Sequence, residues 1–297
     1  MKSTTETCVI ETIAEFRAWH AGLASTDSSS ADFNKPLLGV VPTMGALHDG
    51  HMTLIRRAVR ECESVAVSIF VNPMQFGPNE DFERYPRTLE KDLQLCRDSG
   101  VAAVFHPQVE ELYASGHTSN TKVIPPAELT DRLCGNIRPG HFVGVATVVQ
   151  KLLAIMQPDR AYFGEKDYQQ LTIIKRMVQD LNLPVQVVPV ATVRESDGLA
   201  MSSRNKYLSS DERKRAPELY RTLCVVREDS LSGRRSLQEA LKIAREKLSK
   251  VPEFSLQYLE ACDPSTLEPL TEAKTPMVIL VAAKLGSVRL IDNLIVS

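Results

Sequence analysis

The chain predicts an α/β fold: a doubly wound parallel sheet followed by a second, smaller α+β domain. Three observations carry this. Short apolar runs alternate with helical patterns through the first two thirds of the sequence. The chain's unusual residues cluster just after those runs, where open parallel sheets bind ligands. After about Glu195 the alternation stops, and helices followed by hairpin-linked strands replace it. A length of 297 residues also favours two cores, since about 150 residues make one domain. The expected domains are 1–195 and 196–297, with a hinge at 195–200 that lets the second act as a lid.

In chain order, a helix is expected from Thr12 to Leu23, with Ile13, Ala14, Phe16 and Trp19 on a partly apolar face. The polar, low-complexity stretch Ser25–Asp32 reads as a mobile loop with no chemistry. Five apolar runs then read as strands: Leu37–Val41, Val65–Val71, Val101–Phe105, Arg160–Phe163 and Val185–Val190. Helical patterns separate them at Met52–Cys62, Leu89–Ser99, Val143–Met156 and Gln169–Leu181. Beyond Glu195, Ser209-Ser210-Asp211-Glu212 and Ser236-Leu237-Gln238-Glu239 each read as capping boxes opening a helix. Strands are expected at Leu256–Cys262, Met277–Ala283 and Val288–Ile291, the last two joined through Lys284-Leu285-Gly286-Ser287. The sequence has no internal repeat.

Composition narrows the class. Hydrophobic residues make up 43% and charged residues 24%, ordinary for a globular protein, and the net charge of −2 excludes a general nucleic-acid or membrane-surface binder. The six cysteines are scattered, without a C-x-x-C pair, and read as reduced thiols. No run approaches the roughly 18 apolar residues of a membrane span, and Met1–Thr7 lacks the apolar stretch of a secretory signal. A cytoplasmic protein is expected.

The richest segment is Pro42-Thr43-Met44-Gly45-Ala46-Leu47-His48-Asp49-Gly50-His51. Two histidines three residues apart stand where the first strand hands over to a helix. A helix N-terminus offers unpaired N–H groups and a favourable dipole to an anion, and each neutral imidazole adds one donor. The pair is weak as a zinc motif, because the spacing is one shorter than H-E-x-x-H and no glutamate lies between. Phosphate binding at a nucleotide site is the better reading. Phe163-Gly164-Glu165-Lys166-Asp167 ends the fourth strand; its glycine permits close backbone approach, Lys166 supplies a point charge, and Asp167 can cap a helix or accept from a ribose hydroxyl. Alone, such a turn is usually a solvated charged loop.

Asp197-Gly198-Leu199-Ala200-Met201-Ser202-Ser203-Arg204-Asn205 places two hydroxyls beside a guanidinium able to grip phosphate bidentately; alone it reads as a polar interdomain loop. In Val71-Asn72-Pro73-Met74-Gln75-Phe76 the Gln75 amide can donate and accept, which suits a small hydroxy acid, with Gln170 as a possible complement. Arg138-Pro139-Gly140-His141-Phe142 either orders a loop over the site or merely begins the next helix.

Together with Tyr85-Pro86-Arg87-Thr88, these blocks resemble the pantothenate synthetases, or pantoate–β-alanine ligases, and they span 42–205 in the family's order. The C-terminal third matches only in length and general pattern, and the serine-rich stretch 25–32 resembles an insertion. The H-x-G-H block is similar to that of the wider nucleotidyltransferase superfamily related to class I aminoacyl-tRNA synthetases. Those enzymes often carry a K-M-S-K-S loop where this chain has A-M-S-S-R, so Lys166 and Arg204 supply the firm positive charge.

The resemblance implies a Rossmann-like nucleotide domain and a two-step ligation. Pantoate attacks the α-phosphate of ATP to give pantoyl adenylate and pyrophosphate; the β-alanine amine then displaces AMP to give pantothenate. It implies ATP contacts from Met44, Gly45, Ala46, Leu47, His48, Asp49, Gly50 and His51. Further ATP contacts fall on Gly164, Glu165, Lys166, Asp167, Val193, Met201, Ser202, Ser203 and Arg204. His51 is the implied proton donor, and His48, Lys166 and Arg204 the other catalytic groups. Gln75 would bind pantoate and β-alanine, Gln170 would bind pantoate, and Asn72 and Tyr85 would lie near the reaction centre. Mg²⁺ is the implied cofactor, with Asp92 a possible contact whose helical position also suits a solvated carboxylate. A homodimer is implied. Two rivals stay open: a nucleotidyltransferase acting on a phosphorylated acceptor, and a non-catalytic nucleotide-binding regulator.

Overall fold

The computed structural model describes residues 7–25, 36–78 and 80–297; most of the serine-rich stretch, from 26 on, lies outside them. Six strands form one parallel sheet. They are β1 (Cys8–Ile10), β2 (Leu38–Thr43), β3 (Ser64–Ile69), β4 (Ala103–Phe105), β5 (Arg160–Gly164) and β6 (Gln186–Val190). They lie side by side in the order β1-β4-β3-β2-β5-β6. The five apolar runs of the sequence are β2 to β6. β1 escapes sequence reading because three residues are too few to display a period.

Val40, Val41, Val65, Ala66, Val67 and Val104 are buried, so the central strands read as unbroken apolar runs rather than alternating ones. The helices of this part are α1 (Ile13–Ser25), α2 (Asp49–Glu61), α3 (Leu89–Asp98), the short α4 (Val109–Leu112), α5 (Ala127–Thr130) and α6 (Leu133–Ile137), then α7 (His141–Met156) and α8 (Tyr168–Asp180). The chain winds from β2 outward through β3 and β4, then returns to place β5 on the other side of β2. Strand order therefore reverses between β2 and β5, and a ligand crevice is expected outside their carboxyl ends.

Beyond Ala191 come α9 (Ser210–Arg215), α10 (Glu218–Leu231), α11 (Leu237–Leu248) and a three-stranded antiparallel sheet of β7 (Phe254–Cys262), β8 (Met277–Leu285) and β9 (Val288–Val296). Its core includes Leu219, Leu223, Leu241, Leu248, Ile279 and Val281. Both predicted capping boxes are present: the Ser209 and Ser236 hydroxyls accept from Glu212 N and Glu239 N. α10 carried no such signal, since Pro217 begins it without a side-chain cap. Lys284 and Leu285, expected in the connection, extend β8 instead; they pair with Arg289 and Val288, leaving Gly286 (φ 55°) and Ser287 as the turn.

By contacts the chain divides into two compact units. One takes the described residues up to Pro125, with Arg138–Gly164 and Ile173–Val190; the other takes Pro126–Ile137, Glu165–Thr172 and Ala191–Ser297. Within the first, α7 presses on the 3-10 turn Pro73–Gln75, and Gly144 makes that approach possible. A Cβ at 144 would run into the Met74 carbonyl and lie 2.8 Å from Gln75 N. Asn72 Nδ2 fastens the contact by donating to Gly144 O at 3.1 Å. Gly144→Ala should therefore force helix and turn apart and cost about 1–3 kcal/mol. Urea unfolding measures this directly; an unchanged midpoint would mean the turn yields freely.

Candidate functional site

The histidine loop leaves β2 through two left-handed residues, Gly45 (φ 78°) and Ala46 (φ 51°). The second is uncomfortable for a residue with a Cβ and costs about 1–3 kcal/mol, so the surroundings must hold it. They do so by taking the backbone donors. Gly45 N donates to Thr43 Oγ1 at 3.1 Å, while Ala46 N and Leu47 N donate at 2.8 Å to the two oxygens of Asp92. Asp92 is 1% exposed, on the first turn of α3, and also accepts from the Thr88 hydroxyl. Its helical position does not make it a solvated carboxylate.

α2 begins with a capping box made of two imidazoles. His48 is the N-cap, and its Nδ1 accepts from Gly50 N at 3.1 Å; His51, at the third helical position, accepts on Nδ1 from His48 N at 3.4 Å. The ring centroids are 4.1 Å apart. A backbone N–H can only donate, so both Nδ1 atoms must be unprotonated and each neutral ring carries its proton on Nε2. Part of the backbone expected to be open around the helix start is therefore used locally. The N–H groups of Gly45, Ala46, Leu47, His48 and Gly50 are all engaged within the loop or by Asp92. To the helix start the loop adds a pair of imidazole Nε2–H donors.

In the same unit the Gln75 amide is held at both ends. Its Nε2 donates to Met44 Sδ at 2.9 Å, and its Oε1 accepts from Asn72 Nδ2 at 3.2 Å. Asn72 is 1% exposed and in turn accepts from Met74 N and from the Tyr113 hydroxyl. The Gln75 carbonyl receives Arg138 Nη2 at 3.2 Å and His141 Nδ1 at 2.8 Å. Since Arg138 Nη1 also donates to His141 Nε2, the His141 proton belongs on Nδ1. Glu80 grips Arg138 at 2.6 and 2.5 Å. Burial pushes the Glu80 carboxyl up, but the Arg138 hydrogen bonds and charge, with the Gly77 N–H, together leave it below its usual range. The Arg138–Phe142 segment thus both begins α7 and orders the Gln75 turn. Tyr85 is buried, edge-on to Phe76 at 5.9 Å.

The remaining candidates belong to the second unit, apart from Gly164, which ends β5. Glu165–Asp167 form a 3-10 turn whose Glu165 and Lys166 carbonyls both accept from Asn293 Nδ2, at 2.8 and 2.9 Å. The Lys166 ammonium pairs loosely with Asp167, at 3.8 Å. Behind Asn293, buried Asp292 takes Arg194 bidentately at 2.6 and 2.9 Å, and Arg194 stacks 3.6 Å over Tyr220. Burial raises the Asp292 carboxyl against the pull of Arg194.

Arg194 pairs with Ala200 across a tight turn; Met201 N donates to Val193 O, and Gly198 (φ 95°) lies against Tyr220 where a Cβ would collide. Ser202 Oγ accepts from Arg204 N at 3.3 Å, and Met201 and Ser203 are half-buried beside it. Gln170 is half-buried on the first turn of α8. Its neighbour Gln169 is the buried one, binding Cys134 N and the Leu129 and Arg132 carbonyls.

Sequence reading gave Thr88 and Gln169 no role of their own and missed Glu80, Arg194, Asp292 and Asn293. The last two carried a signal: Asp-Asn interrupts the apolar run of β9 in mid-strand. As a metal centre the residues do not suffice. Asp92's oxygens are filled by the loop, and among the described residues no three His, Cys, Asp or Glu side chains converge to hold an ion. Among the described residues no helix is long and apolar enough to cross a membrane.

Comparison with known proteins follows the same line. The family model "Pantoate-beta-alanine ligase" matches residues 8–295. A bifunctional pantoate ligase/cytidylate kinase of Synechococcus sp. (strain JA-3-3Ab) is 50% identical over 94% of this chain and 52% of its own length, so the chain spans about half of such curated relatives. The crystal structure of pantothenate synthetase from Thermus thermophilus aligns with a TM-score of 0.87 at 49% identity, covering 97% of this chain and 99% of that one. The pantoate-beta-alanine ligase of Francisella tularensis, crystallised with beta-gamma ATP and beta-alanine, aligns at 0.78 with 35% identity and 97% coverage of both chains. With a family model over nearly its whole length and the parallel sheet, imidazole box and Gln75 turn in place, the chain belongs to the pantoate-beta-alanine ligase family.

Proposed function

We propose that the chain condenses pantoate with β-alanine, converting ATP to AMP and pyrophosphate through a pantoyl adenylate. The observation that carries this reading is the imidazole capping box, which turns two Nε2–H donors into a preset phosphate reader at the carboxyl end of β2. Adenylation asks the protein mainly to place the reactants and to neutralise growing phosphate charge. In the first unit, the Met44–His51 loop receives the nucleotide and His51 donates to it. On the resemblance, ATP contacts are also assigned to Lys166 on its Asn293-braced turn, to Arg204, and to Gly164–Asp167, Val193 and Met201–Ser203.

Gln75 is assigned to pantoate and β-alanine. Its Nε2 rests on a thioether, a weak acceptor, so exchanging Met44 Sδ for a carboxylate or hydroxyl oxygen costs little. Its Oε1 stays on Asn72, which keeps the amide oriented. Gln170 is assigned to pantoate, with Asn72 and Tyr85 near the reacting atoms. The neighbour from Francisella tularensis, crystallised with an ATP analogue and beta-alanine, supports both ligand classes. On the resemblance alone, the reading includes Mg²⁺ carried on the nucleotide, a homodimer, a cytoplasmic location, and domains 1–195 and 196–297 that close during the reaction. No step is assigned to the metal.

The adenylate route needs no amine in its first half. Enzyme, Mg²⁺, ATP and pantoate should exchange labelled pyrophosphate into ATP with β-alanine absent, and adding β-alanine should release AMP and pantothenate in equal amounts. Release of ADP, or exchange that needs β-alanine, would replace the adenylate by another intermediate. A nucleotidyltransferase for a different acceptor would be silent with pantoate, and a regulator silent throughout.

His51→Ala and Lys166→Ala should each slow adenylate formation by two orders of magnitude or more, since one donor to developing charge is worth about 3 kcal/mol of barrier. Single-turnover kinetics on folded variants check this. Near-normal turnover in either would remove its phosphate role.

A further inference from the structure

Thr88 and Asp92 are left without a role by the reading above, and the geometry joins them. Thr88 caps the start of α3, its carbonyl accepts from Asp92 N at 2.9 Å, and its hydroxyl sits 3.2 Å from both Asp92 oxygens. Asp92 in turn receives Ala46 N on one oxygen and Leu47 N on the other. Gly45 leaves no slack beside this pair: a Cβ there would lie 3.1 Å from Asp92 Oδ2 and 3.0 Å from Ile69 Cγ2.

We propose that the Thr88–Asp92 pair is a positioning device that sets the shape of the Met44–His51 loop, and through it the aim of the two imidazoles, and that Asp92 does so without ligating a metal. The physical argument is a matching of donors. Two consecutive N–H groups, set side by side by left-handed Gly45 and Ala46, meet the two oxygens of one carboxylate, so the pair is read as a unit. Charge-assisted bonds of this kind are about twice as strong as neutral ones, enough to hold a residue in an unfavourable backbone region. Leu47 is the residue before His48, so a turn in its peptide plane swings the N-cap ring and breaks the Nδ1 contact that fixes the Nε2–H donor. An amide cannot replace the carboxylate. One end of an asparagine would present N–H to N–H.

The inference rests on ATP being the loop's ligand, and its test is chosen to be independent of ligation. Binding of a non-hydrolysable ATP analogue is measured by calorimetry in wild type, Asp92→Asn and Thr88→Val, with Mg²⁺ titrated in each and pantoate binding as the control. Thr88→Val keeps the carboxylate and serves if the asparagine variant does not fold. The expected result is analogue affinity reduced at least tenfold in Asp92→Asn and a few-fold in Thr88→Val, with the Mg²⁺ midpoint and pantoate affinity unchanged. Unchanged analogue affinity in folded Asp92→Asn, or affinity restored by higher Mg²⁺, would overturn the proposal, the second because it is the mark of a metal ligand. If wild type binds the analogue but makes no pantothenate, the proposed reaction falls and this inference stands.

Discussion

The hydrogen bonds of five backbone N–H groups, those of Gly45, Ala46, Leu47, His48 and Gly50, decide what the histidine loop can do. Each is used inside the loop or by Asp92. A helix start that faces an anion ordinarily offers bare N–H groups. Here these five donors are used on shape, and each imidazole accepts a backbone hydrogen bond on Nδ1, which leaves its own proton on Nε2. The arrangement replaces short, fixed backbone donors by longer side chains whose orientation the backbone itself dictates. It also accounts for the buried carboxylate behind the loop. Asp92 faces the inner side of the loop and accepts from Ala46 N and Leu47 N, at and just after the left-handed pair that lets the chain turn there.

The same construction recurs at Gln75 and at the Lys166 turn. The Gln75 amide is oriented by buried Asn72, and its carbonyl by Arg138 and His141, with Glu80 completing the arginine. The Lys166 turn is braced by Asn293, which follows buried Asp292 and its bidentate partner Arg194. In each case a polar group removed from water is fully occupied by partners, which is what makes its burial tolerable and its position definite. The Arg138–Glu80 pair, its side chains only 17% and 27% exposed, has a geometric consequence, since Arg138 fixes where the Gln75 turn lies.

Much of this fold was legible because apolar runs and helical stripes alternate at the lengths parallel sheets require, so β2 to β6 follow from periodicity alone. The capping boxes at Ser209 and Ser236 were legible for a local reason: both partners lie within four residues. What stayed hidden was either too short or too distant. β1 has three residues, and α10 starts at Pro217 without a capping side chain. Asp92 reaches a loop 45 residues away and Asp292 an arginine 98 away, separations at which sequence carries no pairing signal. The helix-terminus reading did not anticipate the two imidazole caps, because histidine is an uncommon cap and the sequence does not reveal that two can cap each other's turn.

The central claim, that backbone donors dictate the imidazole tautomers and so create the phosphate reader, is tested most directly by nitrogen NMR. Protein labelled with nitrogen-15 in its histidine rings gives long-range proton–nitrogen correlations that distinguish Nδ1–H from Nε2–H, and His48→Asn and His51→Asn assign the two signals. At neutral pH and without nucleotide, both rings should be neutral with the proton on Nε2 and an unprotonated, hydrogen-bonded Nδ1. A proton on Nδ1 of either ring would contradict the account, because that ring could no longer accept from the backbone and the capping box would not exist.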